Sequence, residues 1–422
     1  MITNVVKFPE RKNWSEILQR PTASLAEIEE RVAPVLAEVK ANGDEALRKF
    51  ALQFDNILLN DFEVSKEEID AAEAQLSTEL KEAIQLAYGT ISTFHKAQQS
   101  APEFIETAPG VTCWRKSVGI DKVGIYIPGG TAPLFSTVLM LAIPAKIAGC
   151  KEIVLCSPSN HPAIYYAAKL SGVSKLFRIG GAQAVAAMAY GTESVPNVYK
   201  IFGPGNQYVT AAKQLVSKDG VAIDMPAGPS EVAVYAAPNA NPAYVAADLL
   251  SQAEHGIDSQ VILITTSESI IEETNSALEK QLAVLPRKEF AAKALENSKV
   301  ILVKDEQEAI DMLNEYAAEH LILSADNAEE IGEQITNAGS IFLGHYTPES
   351  CGDYASGTNH TLPTNGYAKA YSGVSLDSFV KKITFQKITR AGLESIGDAV
   401  ETMAEAESLA AHAYAVRVRR EK

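Results

Sequence analysis

Nowhere in this 422-residue chain do about 18 uncharged apolar residues follow one another, so no bilayer-spanning helix is expected. The opening stretch, Met1-Ile-Thr-Asn-Val-Val-Lys-Phe-Pro9, has no apolar signal core, and the expected compartment is the cytoplasm. Cysteine is scarce. Cys113, Cys150, Cys156 and Cys351 form no C-x-x-C pair, which argues against a disulfide framework or a thiolate zinc knuckle. Cys150 ends a helical pattern and Cys156 lies in an apolar strand, where cysteine behaves as a small hydrophobe. Cys351 abuts Gly352-Asp353, and packing is favoured there over a nucleophilic role. Positive charge is short as well: 37 Lys and Arg against 53 Asp and Glu leave a net charge of −16, which argues against a nucleic-acid partner. The Arg417-Val-Arg-Arg-Glu-Lys422 end therefore reads as a solvated tail. Also missing are a short-period repeat and the G-x-G-x-x-G dinucleotide fingerprint.

What is present is enough apolar sequence for two or more domains with sizeable cores. The first hundred residues read as helices, with capping boxes at Ser24-x-x-Glu27 and Ser65-x-x-Glu68. From about residue 120, short apolar strands alternate with helical patterns: Val123–Ile127, Glu152–Cys156, Lys175–Ile179 and Val198–Phe202. A second series follows at Glu231–Tyr235, Gln260–Thr265, Lys299–Val303, His320–Leu323 and Ser340–Leu343. This alternation is the signature of parallel α/β sheets. Met225-Pro-Ala-Gly-Pro-Ser230 lies between the two series and suits a domain crossing. Two similar α/β domains facing one another are the expected result. From about residue 375 the pattern turns helical again and ends in Ala404–His412.

The candidate chemistry centres on histidine, of which there are only seven. Asn241-Pro242 and Gly256 bracket one helix, with Asn241 as N-cap and Gly256 in the left-handed C′ position. Gln252 and His255 sit three apart in its last turn and so share a face. An amide oxygen and an imidazole pointing one way make half a metal site; the Cys351–His360 segment and His412 offer the rest, a set suited to Zn²⁺. His95 and His161 read as structural or exposed. Glu319-His320 places a carboxylate beside an imidazole, able to move protons near neutral pH, though on the dipeptide alone a capped helix end with exposed polar residues is the preferred reading. Gly129-Gly130, Gly180-Gly181-Ala-Gln183 and Gly203-Pro-Gly-Asn206 each follow a strand and precede a helix, where backbone can approach a phosphate.

These segments resemble the histidinol dehydrogenase family over essentially the whole chain. The resemblance is carried by Tyr126-Ile-Pro-Gly-Gly-Thr-Ala-Pro-Leu-Phe-Ser136, Arg178-Ile-Gly-Gly-Ala-Gln-Ala184, Gly203-Pro-Gly-Asn206, Gly228-Pro-Ser-Glu231, Gln252-Ala-Glu-His-Gly256, Glu319-His-Leu321 and Gly352–Pro363. It implies zinc, one ion per subunit, held by Gln252, His255, Asp353 and His412. Glu319 is implied to activate water and His320 to act as general base. Ser230, His360 and Glu407 are implied to hold the amino alcohol substrate, with Gln252, His255, His320, Asp353 and His412 also touching it. Tyr126, Gln183 and Asn206 are implied to contact NAD. The resemblance also implies a homodimer in which Glu407 and His412 come from the partner, with no nucleic-acid or membrane partner. Its fold would be two Rossmann-like parallel-sheet domains plus small helical N- and C-terminal domains, the last exchanged in the dimer. The matching division is an arm at 1–20, a first α/β domain at 21–122 and 231–374 carrying most metal ligands, an NAD-binding domain at 123–230, and a helical dimerisation domain at 375–422.

Other readings of the same residues are a zinc- and NAD-dependent dehydrogenase of another small alcohol, a zinc hydrolase using Glu319 as base, and a non-catalytic dimer stapled by structural zinc. A thiohemiacetal at Cys351 is the rival to water in the second oxidation.

Overall fold

A computed structural model describes the chain except residues 1, 22–24, 56, 60, 130–131 and 422. Ser24 of the first expected capping box and Gly130 fall outside the described residues; the Ser65–Glu68 box is present, both hydrogen bonds included.

Two all-parallel sheets organise the molecule. The five-stranded one runs Lys175–Phe177, Glu152–Cys156, Lys122–Tyr126, Lys200–Phe202, Ala222–Ile223. The six-stranded one runs Val5–Lys7, Lys299–Leu302, Gln260–Thr265, Glu231–Ala236, His320–Ser324, Ser340–Leu343. Leaving Val5–Lys7 aside, both follow one plan: the first strand of each series lies mid-sheet, with the second and third on one side and the fourth and fifth on the other. The strand order therefore reverses beside the first strand, at the switch point where α/β sheets bind ligands. Runs such as Val261-Ile-Leu-Ile264 are buried on both faces, the pattern required of a strand with helices above and below.

The strand positions match the sequence expectation closely, with Lys175–Phe177 and Lys200–Phe202 shorter than expected. Four expectations are corrected. Helices at Leu25–Asp55, Lys66–Glu73 and Thr78–Lys96 were expected with the 231–374 domain, but they pack on the five-stranded sheet: Val32, Leu36, Phe50, Ile84 and Ile91 share cores with Ile125, Val185 and Leu141. Residues 380–388 are not helical. Val380–Ile388 pairs antiparallel with Val111–Gly119, which in turn pairs with Phe104–Ala108 in a third sheet. Ala404–His412 is not one helix either, since Ser408 takes a φ of 63° and separates Arg390–Ala406 from Ala410–Arg420. The basic tail belongs to that second helix, where Arg417 pairs with Glu401 and Glu405, and Arg420 with Glu394, Asp398 and Glu401. Finally, Val5–Lys7, unforeseen, extends the six-stranded sheet beside Lys299–Leu302.

Candidate active site

A cavity of about 330 Å³ brings the separate motifs together. One wall is the amino edge of the six-stranded sheet, with Ser230, Gln252, His255, Glu319 and His320 joined by Asp353 and His360. The other is the carboxyl edge of the five-stranded sheet, with Gly203-Pro-Gly-Asn206 and Thr137.

Gln252 lies in the last turn of the helix Pro242–Ala253, which Asn241 caps through the Ala243 N–H. The helix stops at Ala253, and Gly256 does not take the left-handed conformation expected of it. The Gln252 side chain is fully buried, and neither its oxygen nor its nitrogen has a hydrogen-bond partner. His255 is exposed to solvent at the cavity although its imidazole is crowded by neighbouring groups. The desolvation this brings, reinforced by His320 and His360, lowers its pKa and keeps the imidazole neutral against the pull of Asp353.

Asp353 and Glu349 come from the short helix Glu349–Tyr354. Gly352 lets that helix pack down, because a Cβ there would sit 2.6 Å from the Phe342 ring. Donor atoms of His255, Glu349 and Asp353 lie within 4.8 Å of one another. An imidazole, two carboxylates and an orphaned buried amide fit a borderline divalent cation such as zinc. Sequence reasoning missed Glu349; its signal was the four-residue spacing to Asp353.

Glu319 and His320 stand where the strand His320–Ser324 begins. Glu319 accepts the Glu231 backbone N–H at 2.9 Å, and burial pushes its pKa up to about 7. Burial alone would strip the proton from His320, but the carboxylates of Glu349, Glu319 and Asp353 outweigh it and hold its pKa up to about 10. His320 Nε2 lies 3.6 Å from Asp353, and Nδ1 3.7 Å from Glu319. Burial works against ionisation of Asp353, yet the contact with His320 and the nearby His360 and His255 hold its pKa below the usual range. His360 spans the cleft. Its Nδ1 contacts the Asp353 carbonyl at 2.8 Å, which fixes a proton there, so Nε2 accepts from the Thr137 hydroxyl at 2.9 Å.

On the opposite wall Asn206 lines the cavity, while Tyr126 and Gln183 lie buried at the carboxyl edge of the same sheet, outside the cavity lining. The Tyr126 hydroxyl accepts the Gly181 N–H at 3.0 Å, and Gln183 is buried beside Gly181. Asn206 caps the helix Gln207–Lys218. Gly203 has a φ of 125°, and any Cβ on it would run into the Tyr126 carbonyl. A buried Lys213–Asp224 pair, also unforeseen, braces this turn: Lys213 donates to the Gly203 carbonyl at 2.9 Å and Asp224 accepts the Gly203 N–H at 2.8 Å.

Three expected residues stand apart. Glu407 and His412 are exposed at the tip of the C-terminal helix pair and do not line the cavity within one chain. Cys351 is exposed and does not line it either. His95 is buried against the Ile91 carbonyl and His161 caps a helix, both structural as expected.

A carboxylate–imidazole pair and a metal-competent donor set at the edge of one parallel sheet, facing the Gly203-Pro-Gly-Asn206 turn at the carboxyl edge of another, define an α/β enzyme whose candidate site is the cleft between the two sheets. The chain belongs to the histidinol dehydrogenase family, which matches residues 18–420. A histidinol dehydrogenase of Bacteroides thetaiotaomicron is 61% identical over 420 residues, covering 98% of each chain. The one from Escherichia coli K12 is 53% identical over 408 residues, covering 96% of this chain and 94% of its own. The crystal structure of histidinol dehydrogenase from Elizabethkingia anophelis superposes with a TM-score of 0.96 at 53% identity, covering 99% of this chain and 97% of its own.

Proposed function

We propose that this protein oxidises L-histidinol through L-histidinaldehyde to L-histidine, closing histidine biosynthesis, with two NAD and one zinc per subunit. The observation that supports this best is the meeting of Glu319-His320, the Gln252–His255–Asp353 donor set and the Gly203-Pro-Gly-Asn206 turn in one cavity. Gln252, His255 and Asp353 would hold zinc with the partner subunit's His412, in a homodimer whose C-terminal helices are exchanged. Glu407 of the partner subunit would help hold the substrate, together with Ser230 and His360. When bound, zinc supplies an anchor for the imidazole and amino nitrogens of the substrate. Tyr126, Gln183 and Asn206 would hold NAD, which would supply the hydride acceptor.

In the metal-free site the carboxylates of Glu349, Glu319 and Asp353 keep a proton on His320; a divalent cation held by Asp353 would offset that charge, and the neutral His320 imidazole then takes the hydroxyl proton as hydride leaves the carbinol carbon, which yields the aldehyde. That aldehyde carbon must gain a nucleophile before a second hydride can leave. Glu319 accepts a proton from water as the water oxygen bonds to the carbonyl carbon, and the hydrate then gives up its hydride to become the carboxylate. Alcohol, water and two NAD thus become carboxylate, two reduced cofactors and three protons.

The test is to add L-histidinol to enzyme with NAD and follow the absorbance of the reduced cofactor, with histidine measured chromatographically. Two reduced cofactors per histidinol are expected. One equivalent with accumulated aldehyde, or turnover of other small alcohols but not of histidinol, would overturn the assignment.

A further inference from the structure

Glu349 has no role in the chemistry above, yet it occupies the most demanding position in the site. It is 1% exposed, and neither carboxylate oxygen has a hydrogen-bond partner. A carboxyl taken out of water in this way keeps its proton unless it is paired or coordinates a cation, and it can exchange that proton for a metal ion.

Its placement points at a cation. Glu349 and Asp353 are four residues apart in one helix, so their side chains share a face and reach toward His255 together. The donor atoms of the three are within 4.8 Å of one another. Two donors about 2.0–2.2 Å from a common ion stand no more than about 4.4 Å apart, so closing on one takes a shift of tenths of an ångström. The equally orphaned amide of Gln252 belongs to the same donor set, so two independent buried groups await a partner here. Glu349 does not line the cavity. It approaches from the protein side, where a substrate would not displace it.

Charge points the same way. With Gln252 and His255 neutral, Asp353 alone leaves a buried divalent ion with one uncompensated positive charge. A second carboxylate makes the set neutral, the arrangement a site of low dielectric favours.

We propose that Glu349 is a further metal ligand, coordinating the divalent cation of the substrate-free protein together with Gln252, His255 and Asp353. This rests on the reading that the protein binds zinc.

The experiment strips the full-length protein with a chelator and measures zinc affinity by competition with a chromophoric chelator, without substrate. Glu349→Gln keeps the volume and removes the charge; Glu349→Asp keeps the charge and withdraws it by one methylene; Asp353→Asn is the reference. Circular dichroism checks that each is folded. Residues that only support a ligand typically cost about 10–100-fold in metal affinity when changed. Both Glu349 variants are expected to lose more than about 100-fold, as Asp353→Asn does; if one does not fold, the other carries the test. If Asp353→Asn loses zinc while a folded Glu349 variant stays within that factor of the parent, Glu349 is not a ligand. Unchanged affinity in all three would instead overturn the zinc reading itself.

Discussion

The backbone N–H of Glu231 donates to Oε2 of Glu319 at 2.9 Å, joining the strand Glu231–Ala236 of the six-stranded sheet to the residue proposed to activate water. The Glu231 side chain is clamped by Arg20, whose guanidinium also donates to the Tyr316 carbonyl at 2.7 Å and lies 4.0 Å over the Tyr316 ring. The clamp sets the charge behind Glu319: with Glu231 neutralised, Glu319 faces one anion fewer.

Arg20→Met should therefore cost more than a surface pair would. The Arg20 side chain is 14% exposed and that of Glu231 2%, so the change strands a buried carboxylate, at a cost of about 3–5 kcal/mol. Denaturant unfolding of the parent, Arg20→Met and the double variant Arg20→Met/Glu231→Gln checks this. The double variant should regain most of the loss, and a single variant as stable as the parent would contradict the burial argument.

Glu319→Gln should slow histidinaldehyde oxidation by about 100-fold or more, in the range of a lost general base, and slow histidinol oxidation less. Cys351→Ser should spare both steps, since Cys351 does not line the cavity. Stopped-flow measurement of each hydride transfer separates the two. Loss of only the second transfer in Cys351→Ser would establish a thiohemiacetal route.

Because His412 does not reach the cavity within one chain, complementation between subunits is expected. His255→Ala and His412→Ala, each inactive alone, should recover part of the parent activity after mixing and verified subunit exchange. Persistent inactivity would mean that the site is not shared.

The metal-free protein should lose stability as pH rises. Burial raises the carboxyls of Glu319 and Asp248 to about 7 and that of Glu349 to about 8. Each therefore holds in the folded state a proton that the unfolded chain releases at about pH 4. Folding binds more protons than unfolding across this window, so the contribution is full below about pH 4 and is lost as pH climbs to about 8. His320, held up to about 10, extends the same trend upward. Calorimetric midpoints of chelator-treated protein should fall from about pH 5 to about pH 9, and zinc should flatten the slope. A midpoint that rises over that range would refute the assignment of these protons.

Local signals carried much of this structure. Glu152–Cys156, Gln260–Thr265 and Ser340–Leu343 are strands at their expected limits, and in the first two a run of buried, largely β-branched residues leaves few alternatives. Gln252, His255 and Asp353 line one cavity. What stayed hidden depends on distance along the chain. The amphipathic helices before residue 97 declare that one face is buried, but not against which sheet. Val380–Ile388 alternates weakly and is mostly exposed, and its partner Val111–Gly119 lies far back in the chain. Glu349 reads as an ordinary polar residue until the short helix that aligns it with Asp353 is known. Arg20 gives no sign from sequence that its partner is Glu231.

The N-terminal segment has a practical bearing on how the protein is handled. Its strand Val5–Lys7 covers the edge of Lys299–Leu302, and the same segment ends in Arg20 behind the catalytic carboxylate. A protease nick or a trimmed expression clone that removes these residues would uncover a sheet edge, a template for intermolecular pairing, and withdraw a counter-charge from the reaction centre. Preparations shortened at this end would combine aggregation with low specific activity, and intact mass is the quantity to verify before any kinetic comparison.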